Sequence, residues 1–319
     1  MAERPSEFSL IAQVFAPLAT AQGAFGLTDD VALLPARADH DVVVTTDALV
    51  EGIHFLADDP ADSVARKALR VNLSDLAAKG AEPAGYFLVL SLPARIDMQW
   101  IESFARGLGE DQKVFGLSLL GGDTTSTPGP LTLAVTAVGY VPAGTLIRRA
   151  GAKAGDGVFV SGTIGDAGGG LAILKGEGGT SADLIARYRV PSPRLALGRA
   201  LRGIASAALD ISDGLIADLS HIADVSSVRI VVEAARIPRS GALREQWGDT
   251  SEAIVRAATS GDDYEIAFTA PSESDVMDAA RRAKTSVTCI GRVQRGAGVA
   301  LVDASGREIA VPRTGFTHF

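Results

Sequence analysis

The stretch that decides the fold is "DVVVTTDALVEGIHF", residues 41–55. Its apolar start is typical of a buried strand, and the pattern then passes directly into Thr45, Thr46 and Asp47. We expect the strand to end at Asp47, where a carboxylate would lose hydration energy unless a partner compensates it. No lysine or arginine lies close to Asp47 in the sequence, so this partner must come from elsewhere in the fold or from solution.

On either side of this stretch, apolar periodicity alternates between short strands and helices, which predicts a mixed α/β protein. We expect Ser63 to cap a helix over 62–80, and Gly80 with Pro83 to end it. The predicted strands cover residues 39–47, 86–92, 117–123, 131–141, 157–162, about 207–211, 228–232, 264–270, 287–293 and 299–303. The predicted helices cover 62–80, 97–116, a segment opening within 162–174, 214–225, 252–258 and 273–284.

The length of 319 residues suggests two domains. The segment 142–156 is rich in proline, glycine and basic residues, which makes it the best candidate for a boundary. We therefore expect one domain over residues 1–141 and a second over residues 142–319.

The composition favours a folded enzyme, since 47% of the residues are hydrophobic and 21% are charged. A formal charge of −8 argues against nucleic acid or an anionic membrane as partner, because both attract basic patches. The single Cys289 can form neither an internal disulfide nor a zinc cluster, which favours a reducing, cytoplasmic setting. The first residues lack an apolar signal-peptide core, and no run of ~18 apolar residues predicts a membrane span.

Aspartates recur beside glycine or hydroxyl residues, mostly at predicted element ends and without basic neighbours. They are Asp29, Asp30, Asp47, Asp75 (inside a helix), Asp123, Asp210, Asp213, Asp262 and Asp263. Any one of them alone is commonly a turn former or a helix N-cap, as we expect for Asp97. Their repetition favours a shared site in which cations offset mutual repulsion. Hard oxygen ligands, to which Thr45 and Thr46 can contribute, favour Mg²⁺ over Zn²⁺.

Three further features each allow two interpretations. The glycine run "GTIGDAGGGLAIL", residues 162–174, opens a helix whose amides fit an anion, and close helix packing explains the glycines equally well. Arg148 and Arg149 fit either a phosphate clamp or a solvated linker. Of the four histidines, only His54 lies in a suggestive place, on a loop after Asp47; incidental roles suit the other three, which are His40, His221 and His318.

The sequence lacks a P-loop, the protein-kinase motifs, G-x-S-x-G, H-E-x-x-H and C-x-x-C. Nine stretches taken together resemble the thiamine-monophosphate kinase family of the aminoimidazole-ribonucleotide-synthetase-like superfamily. In order, they are "TDDVALL", "TTDALVEGIHF", "VNLSDLAAKGAEP", "LLGGDTT", "RRAGAKAGD", "VSGTIGDAGGGL", "LDISDGL", "SGDDYEIAFT" and "GFTHF". They run from about residue 26 to the last residue, so the resemblance covers nearly the whole chain.

This resemblance implies a two-domain α/β, PurM-like fold, in which the N-terminal domain binds metal and ATP and pairs with a second subunit in a homodimer. It implies transfer of the γ-phosphoryl group of ATP to thiamine monophosphate, with several Mg²⁺ ions and no phosphoenzyme. The positions that match metal ligands of the family are Asp30, Thr45, Thr46, Asp47, Asp75, Asp123, Asp210 and Asp213. The nucleotide contacts match Gly122, Asp123, Ser212 and either Arg148 or Arg149, and Arg149 is favoured because it directly precedes "AGAKAGD". The substrate contacts match His54, Asp262 and Phe316.

The chain departs from the family pattern in two places. Thr28 stands before Asp29-Asp30 where the family usually has glycine, and Lys79 follows "LAA" where the family usually has an apolar residue.

The sequence leaves two alternative functions open. One is another ATP-using enzyme of the superfamily, such as the aminoimidazole ribonucleotide or selenophosphate synthetase. The second of these typically needs a reactive cysteine or selenocysteine near its N-terminus, whereas the only cysteine here is Cys289. The other alternative is a non-catalytic regulator that binds nucleotide or thiamine, and the full set of acids argues against it.

Overall fold

The computed structural model describes residues 6–316, and their internal contacts divide them into two units. One unit contains the chain up to Leu76 together with Glu82–Gly144. The other contains Ala77–Ala81 together with the chain from Thr145 onward. The predicted domain boundary after residue 141 stays a prediction. The contacts of the short segment Ala77–Ala81 assign it to the second unit.

The first unit contains one four-stranded sheet in the order β1-β4-β2-β3. Its strands are β1 (His40–Val50), β2 (Glu82–Leu92), β3 (Ser118–Ser126) and β4 (Thr132–Pro142). β4 runs antiparallel to both β1 and β2, whereas β2 and β3 are parallel. The helices are α1 (Glu7–Leu10), α2 (Ala61–Ala78) and α3 (Met98–Phe115), with helical turns at Ile11–Phe15, Ala16–Leu18 and Gln22–Leu27. β1 and β3 are therefore the two edges of this sheet.

The ends of α3 follow directly from local sequence. The carboxylate of Asp97 accepts a hydrogen bond of 2.9 Å from the backbone N–H of Trp100, as expected for an N-cap. Gly116 ends the helix in the left-handed conformation. The prediction for Ser63 was wrong, because Ser63 lies within α2 and donates to the carbonyl of Pro60.

The second unit contains a six-stranded sheet in the order β10-β7-β9-β5-β8-β6. Its strands are β5 (Gly157–Ser161), β6 (Ala207–Asp210), β7 (Arg229–Glu233), β8 (Ile266–Ala270), β9 (Val287–Gln294) and β10 (Gly298–Val302). Among the described residues of this unit, only β10 and β7 are parallel neighbours. The helices are α4 (Asp166–Leu174), α5 (Ala182–Arg189), α6 (Leu195–Ala200), α7 (Leu215–Ser226), α8 (Gly241–Trp247), α9 (Ser251–Thr259) and α10 (Glu273–Ala283), with a helical turn at Ala234–Arg236.

Two details of the first strands differ from prediction. Asp47 and Asp123 lie inside β1 and β3 and do not end them, whereas Asp210 does end β6. β1 is also not fully buried, because Val42 and Val44 are 57% and 59% exposed. The sequence pattern missed α5, α6 and α8 altogether.

Candidate functional site

The first group of predicted site residues lies where β1 meets α2. Thr45 and Asp47 alternate with exposed positions of β1, and the hydroxyl of Thr45 donates a short hydrogen bond to the carboxylate of Asp75 on α2. Burial, followed by the charge of Asp75, raises the pKa of Asp47 to about 6. Two carboxylates and a hydroxyl thus lie close together, and the charge of one acid disfavours ionisation of the other.

Thr46 points to the opposite face of the same sheet. Its hydroxyl lies 3.0 Å from the hydroxyl of Thr136, the residue paired with it on β4. Strand alternation places Thr46 on the same face as the exposed Val42 and Val44. The side chain of Thr46 is therefore separated from those of Thr45 and Asp47.

A second group lines a cavity of about 560 Å³ at the β3 edge of the sheet. The cavity brings together Asp30, Gly122 and Asp123, with apolar side chains that include Phe15 and Phe87. A Cβ atom at Gly122 would lie 1.8 Å from the carbonyl oxygen of Leu88, so only glycine fits this position. The predicted metal and nucleotide positions of this strand therefore share one concave surface.

One copy of the chain does not bring Asp47 and Asp123 side by side. They lie on β1 and β3, at opposite edges of the sheet, with β4 and β2 between them. Because neighbouring strands are about 4.8 Å apart, three steps across the sheet correspond to about 14 Å. The acids of the first unit thus form two groups within one copy.

The loop after β1 holds His54 in a defined tautomer. The backbone N–H of Val50 donates to Nδ1 of His54 over 3.0 Å, so Nδ1 is the acceptor and the proton of the neutral ring resides on Nε2. The ammonium of Lys67, whose residue is only 2% exposed, donates to the carbonyl of His54 over 2.8 Å. Both the backbone and the ring of His54 are therefore held in place.

In the second unit, the turn after β6 carries Ser212 and Asp213. One carboxylate oxygen of Asp218, near the start of α7, accepts hydrogen bonds of 3.0 to 3.1 Å from the N–H groups of Ser212, Asp213 and Gly214. Burial and then the charge of Asp213 raise the pKa of Asp218 to about 7, although these three donors favour its ionised form. The turn that contains the predicted nucleotide and metal contacts is thus organised by a buried acid that sequence reasoning missed.

Asp262 and Phe316 attach to this same turn. The backbone N–H of Asp262 donates to the carbonyl of Ser212 over 2.8 Å, and that of Phe316 donates to the carbonyl of Asp213 over 2.9 Å. Asp210 immediately precedes the turn, at the end of β6. The fold therefore gathers Asp210, Ser212, Asp213, Asp262 and Phe316 around one turn. Of the terminal motif "GFTHF", residues 317–319, including His318, lie outside the described residues.

His221 lies next to this group. One ligand atom each from Asp213, Asp218 and His221 lie within 4.8 Å of one another, so these side chains could share a cation. The sequence alone favours an incidental role for His221. The signal that could have found it is the spacing of Asp218 and His221, three residues apart on one helix, which places both on the same face.

The glycine run before α4 has a structural explanation. The fully buried carboxylate of Asp263 accepts hydrogen bonds from the N–H groups of Gly165 and Ala167 at the start of α4, at 2.7 and 3.3 Å. A Cβ atom at Gly170 would lie 2.1 Å from the carbonyl oxygen of Leu184. The glycines thus allow close packing, and the N–H groups at the start of α4 are already bonded to the protein's own Asp263, whose pKa burial raises well above its usual range.

The structure also accounts for Thr28 and Lys79, the two residues at which the chain departs from the family pattern. Thr28 has φ −105°, which suits any residue, and its hydroxyl donates to the carbonyl of Phe25. Left-handed backbone falls instead on Phe25, Gly26 and Leu27. The ammonium of Lys79 donates to the carbonyl of Ala208 on β6 over 2.7 Å.

Arg148 and Arg149 are both exposed, so their side chains are accessible to a ligand. The backbone carbonyl of Arg148 accepts a hydrogen bond from the backbone N–H of Ala208.

No helix among residues 6–316 is long and apolar enough to cross a membrane.

Known families match both units of the chain. The AIR synthase related protein N-terminal domain matches residues 28–141, and the corresponding C-terminal domain matches residues 153–304. The thiamine-monophosphate kinase of Caulobacter vibrioides is 46% identical over 322 aligned positions, which cover 98% of this chain and 91% of the relative. The chain belongs to the thiamine-monophosphate kinase family.

Solved structures agree with this assignment. The crystal structure of thiamine-monophosphate kinase from Stenotrophomonas maltophilia K279a matches with a TM-score of 0.81 and 42% identity, covering 89% of this chain and 91% of that one. AaThiL complexed with AMPPCP and TMP matches with a TM-score of 0.78 and 30% identity, covering 98% and 94%. The two-domain α/β fold of the family is thus confirmed.

Proposed function

We propose that this chain phosphorylates thiamine monophosphate to thiamine diphosphate with ATP as the phosphoryl donor. The observation that carries the proposal is the match to the thiamine-monophosphate kinase family across nearly the full length of both proteins. The match includes both units and therefore the candidate site residues of each unit. Membership of this family also disfavours the other ATP-using enzymes of the superfamily.

The acids of the site fit Mg²⁺ chemically. Asp47 and Asp75 lie close enough for one charge to raise the pKa of the other acid, and a divalent cation would relieve this repulsion. Their oxygens are the hard ligands that Mg²⁺ prefers. When bound, Mg²⁺ would neutralise charge on the phosphate oxygens. The residues proposed to hold it with their side chains are Asp30, Thr45, Asp47, Asp75, Asp123, Asp210 and Asp213. Thr46, whose hydroxyl lies on the opposite face beside that of Thr136, could contribute only its backbone carbonyl.

We assign nucleotide binding to Gly122, Asp123, Ser212 and an arginine. Gly122 supports this role because its backbone approaches β2 too closely for a side chain and lines the cavity beside Asp123. Arg149 is favoured over Arg148 by its place directly before "AGAKAGD". A guanidinium at this point can form paired hydrogen bonds with phosphate oxygens.

We assign thiamine monophosphate binding to His54, Asp262 and Phe316. His54 can donate from Nε2 to a phosphate oxygen while its Nδ1 accepts the N–H of Val50. The carboxylate of Asp262 complements the positive charge of the thiazolium ring. Phe316 is 41% exposed and can offer its face to the flat rings of the substrate.

Direct transfer between the two substrates requires positioning and charge neutralisation more than a protein nucleophile. The groups named above bind and orient the donor and the acceptor, and none of them is a serine or cysteine activated by a base. We therefore propose transfer without a covalent phosphoenzyme.

A homodimer and a cytoplasmic location complete the proposal. Val42 and Val44 expose apolar surface on an edge strand, which supports pairing with a second copy of the sheet. Such pairing is also a route by which β3 of one copy could approach β1 of the other. The single, unpaired Cys289 supports a reducing compartment.

The test is a direct assay of the purified protein with thiamine monophosphate, ATP and Mg²⁺. We expect ADP and thiamine diphosphate to appear in equal amounts. Formation of thiamine diphosphate separates this activity from that of other ATP-using enzymes. Binding of both substrates without any product would instead identify a regulator.

A further inference from the structure

The segment Ser260–Glu265 has an unusual backbone. Asp262 and Tyr264 have φ values of +68° and +50°, in the left-handed region that residues with a Cβ atom rarely adopt. Such a backbone conformation costs free energy, so the surrounding structure must hold each of the two residues there. Asp263, which lies between these two residues, and Glu265, which follows them, are both 0% exposed. The segment thus alternates strained residues with fully buried acids.

The carboxylate of Glu265 is held by two arginines and a serine. Arg194 donates to both of its carboxylate oxygens, from Nε over 2.7 Å and from Nη2 over 2.5 Å. Arg187 donates to one of these oxygens over 2.9 Å and to the carbonyl of Asp263 over 3.1 Å. The hydroxyl of Ser161 donates to Glu265 over 2.6 Å. The carboxylate is therefore surrounded by donors from three separate elements.

The anchored segment in turn holds the turn after β6. The N–H groups of Asp262 and Tyr264 donate to the carbonyls of Ser212 and Ile211, both over 2.8 Å. The N–H of Ile211 donates back to the carbonyl of Glu265 over 2.8 Å. A shift of Glu265 would therefore move Asp262 first and the turn at Ser212 next.

We infer that Glu265, together with Arg187 and Arg194, acts as a set of positioning residues that hold Asp262 in place for the phosphate acceptor. The inference rests on the proposed function, because it concerns the same site. None of the three side chains needs to touch the substrate. Their effect passes through the backbone of the segment Ser260–Glu265.

Arg194→Lys is the main test, because lysine keeps the charge but cannot make the paired hydrogen bonds of the guanidinium. We expect the KM for thiamine monophosphate to rise about tenfold or more, since small displacements of a positioning group have large kinetic effects. The KM for ATP should rise less than that for thiamine monophosphate, because the displacement reaches Ser212, a proposed nucleotide contact, only through Asp262. Arg187→Lys is measured in parallel and should change the same constant in the same direction.

Arg239→Lys provides the matched control. Arg239 is buried, whereas Arg187 and Arg194 are half-buried. It bonds a carbonyl over 2.8 Å and the carboxylate of Asp249 over 2.6 Å, but it makes no bond to the segment Ser260–Glu265. We expect this variant to lose stability and to retain the wild-type ratio of the two KM values. Circular dichroism establishes that each variant is folded.

The results of these measurements distinguish the proposed kinase function from the proposed positioning role. Wild-type protein without kinase activity would overturn the proposed function itself. Active wild type, with an unchanged KM ratio in both Arg194→Lys and Arg187→Lys, would overturn the positioning role. Failure of both variants to fold, with Arg239→Lys folded, would assign the cluster to stability alone and would also overturn it.

Discussion

The buried ammonium group of Lys67 donates a hydrogen bond to the backbone carbonyl of His54, and the two residues thereby connect α2 to the loop after β1. Lys67 is only 2% exposed, so its charge lies where water is scarce. A buried charge is tolerated only with partners, which makes this contact more than an incidental one. The geometry of His54 therefore depends on a residue that is itself buried from solvent.

Replacement of Lys67 by methionine should impair thiamine monophosphate binding through His54. Methionine retains much of the volume but removes the donor to the His54 carbonyl, so we expect a higher KM for thiamine monophosphate and little change for ATP. His54→Ala should have the same selectivity. In the double variant the two effects should not add, because residues that act through one another are coupled. Full additivity in steady-state kinetics would show that Lys67 acts independently of His54.

Activity should depend on a divalent cation and on Asp47. Removal of Mg²⁺ with EDTA should abolish ADP release, and added Mg²⁺ or Mn²⁺ should restore it, because the proposed ligands are hard oxygens. Asp47→Asn should lower kcat by roughly 100-fold or more, with an unchanged circular dichroism spectrum. Wild-type turnover in this variant would remove Asp47 from the mechanism.

The repulsion between Asp47 and Asp75 should be measurable as stability. Two like charges 4 Å apart repel by about 1 kcal/mol in bulk water and about 4 kcal/mol at an effective dielectric of 20. Asp75→Asn keeps an oxygen that can accept from Thr45 and removes the charge. In EDTA it should therefore melt at or above the wild-type temperature. With Mg²⁺ and ATP the order should reverse, because ligands stabilise only a site that still binds them.

Asp97→Ala is the control for this experiment, since Asp97 caps α3 and is not one of the proposed metal residues. It should lose about 0.5 to 2 kcal/mol in either condition. A clear loss of stability for Asp75→Asn in EDTA, with a full gain from Mg²⁺-ATP, would contradict a shared cation at Asp75.

Phe316 should matter for its aromatic face. Phe316→Ala should raise the KM for thiamine monophosphate about tenfold, within the range of an aromatic contact of roughly 0.5 to 1.5 kcal/mol plus lost apolar burial. Phe316→Tyr keeps the ring and should stay close to wild type. If the alanine and tyrosine variants have equal KM values, the ring makes no contact with the substrate.

The exposed valines of β1 should stabilise a dimer. Val44→Lys places a charge on the face that also contains Val42, and it should shift the protein toward monomer in light scattering coupled to size-exclusion chromatography. Val114→Lys is the control, because Val114 is 66% exposed but lies on α3. A wild-type monomer, or an unchanged mass for Val44→Lys, would contradict pairing through this face.

The sequence alone correctly predicted those structural features that depend only on residues close together in the chain. The cap at Asp97 and the end of α3 at Gly116 follow from local hydrogen bonds and local backbone conformation, so a short motif contains the whole cause. The position of Asp47 within β1 was missed, because threonine and aspartate can continue an edge strand that has one exposed face. The pattern of β1 could not reveal which of its faces another element covers.

Long-range pairs were beyond the reach of the sequence. Glu265 meets Arg187 and Arg194, which are 78 and 71 residues away. Arg187 lies on α5 and Arg194 directly precedes α6, and both helices are too short for a clear periodicity. Asp218 looked like an ordinary helix residue, although it organises the turn at Ser212. Motif resemblance identified the residues of that turn, and only the fold identified what holds them.

The carboxylate of Asp263 at the start of α4 has a consequence for how the protein responds to buffer. An open helix N-terminus takes phosphate or sulfate from solution, and its stability rises with their concentration. In this fold a fully buried side chain already accepts the N–H groups of Gly165 and Ala167, out of reach of mobile ions. Salt screens exposed charges far more than buried ones. The order of α4 should therefore be indifferent to ionic strength, while the binding of both phosphorylated substrates remains sensitive to it.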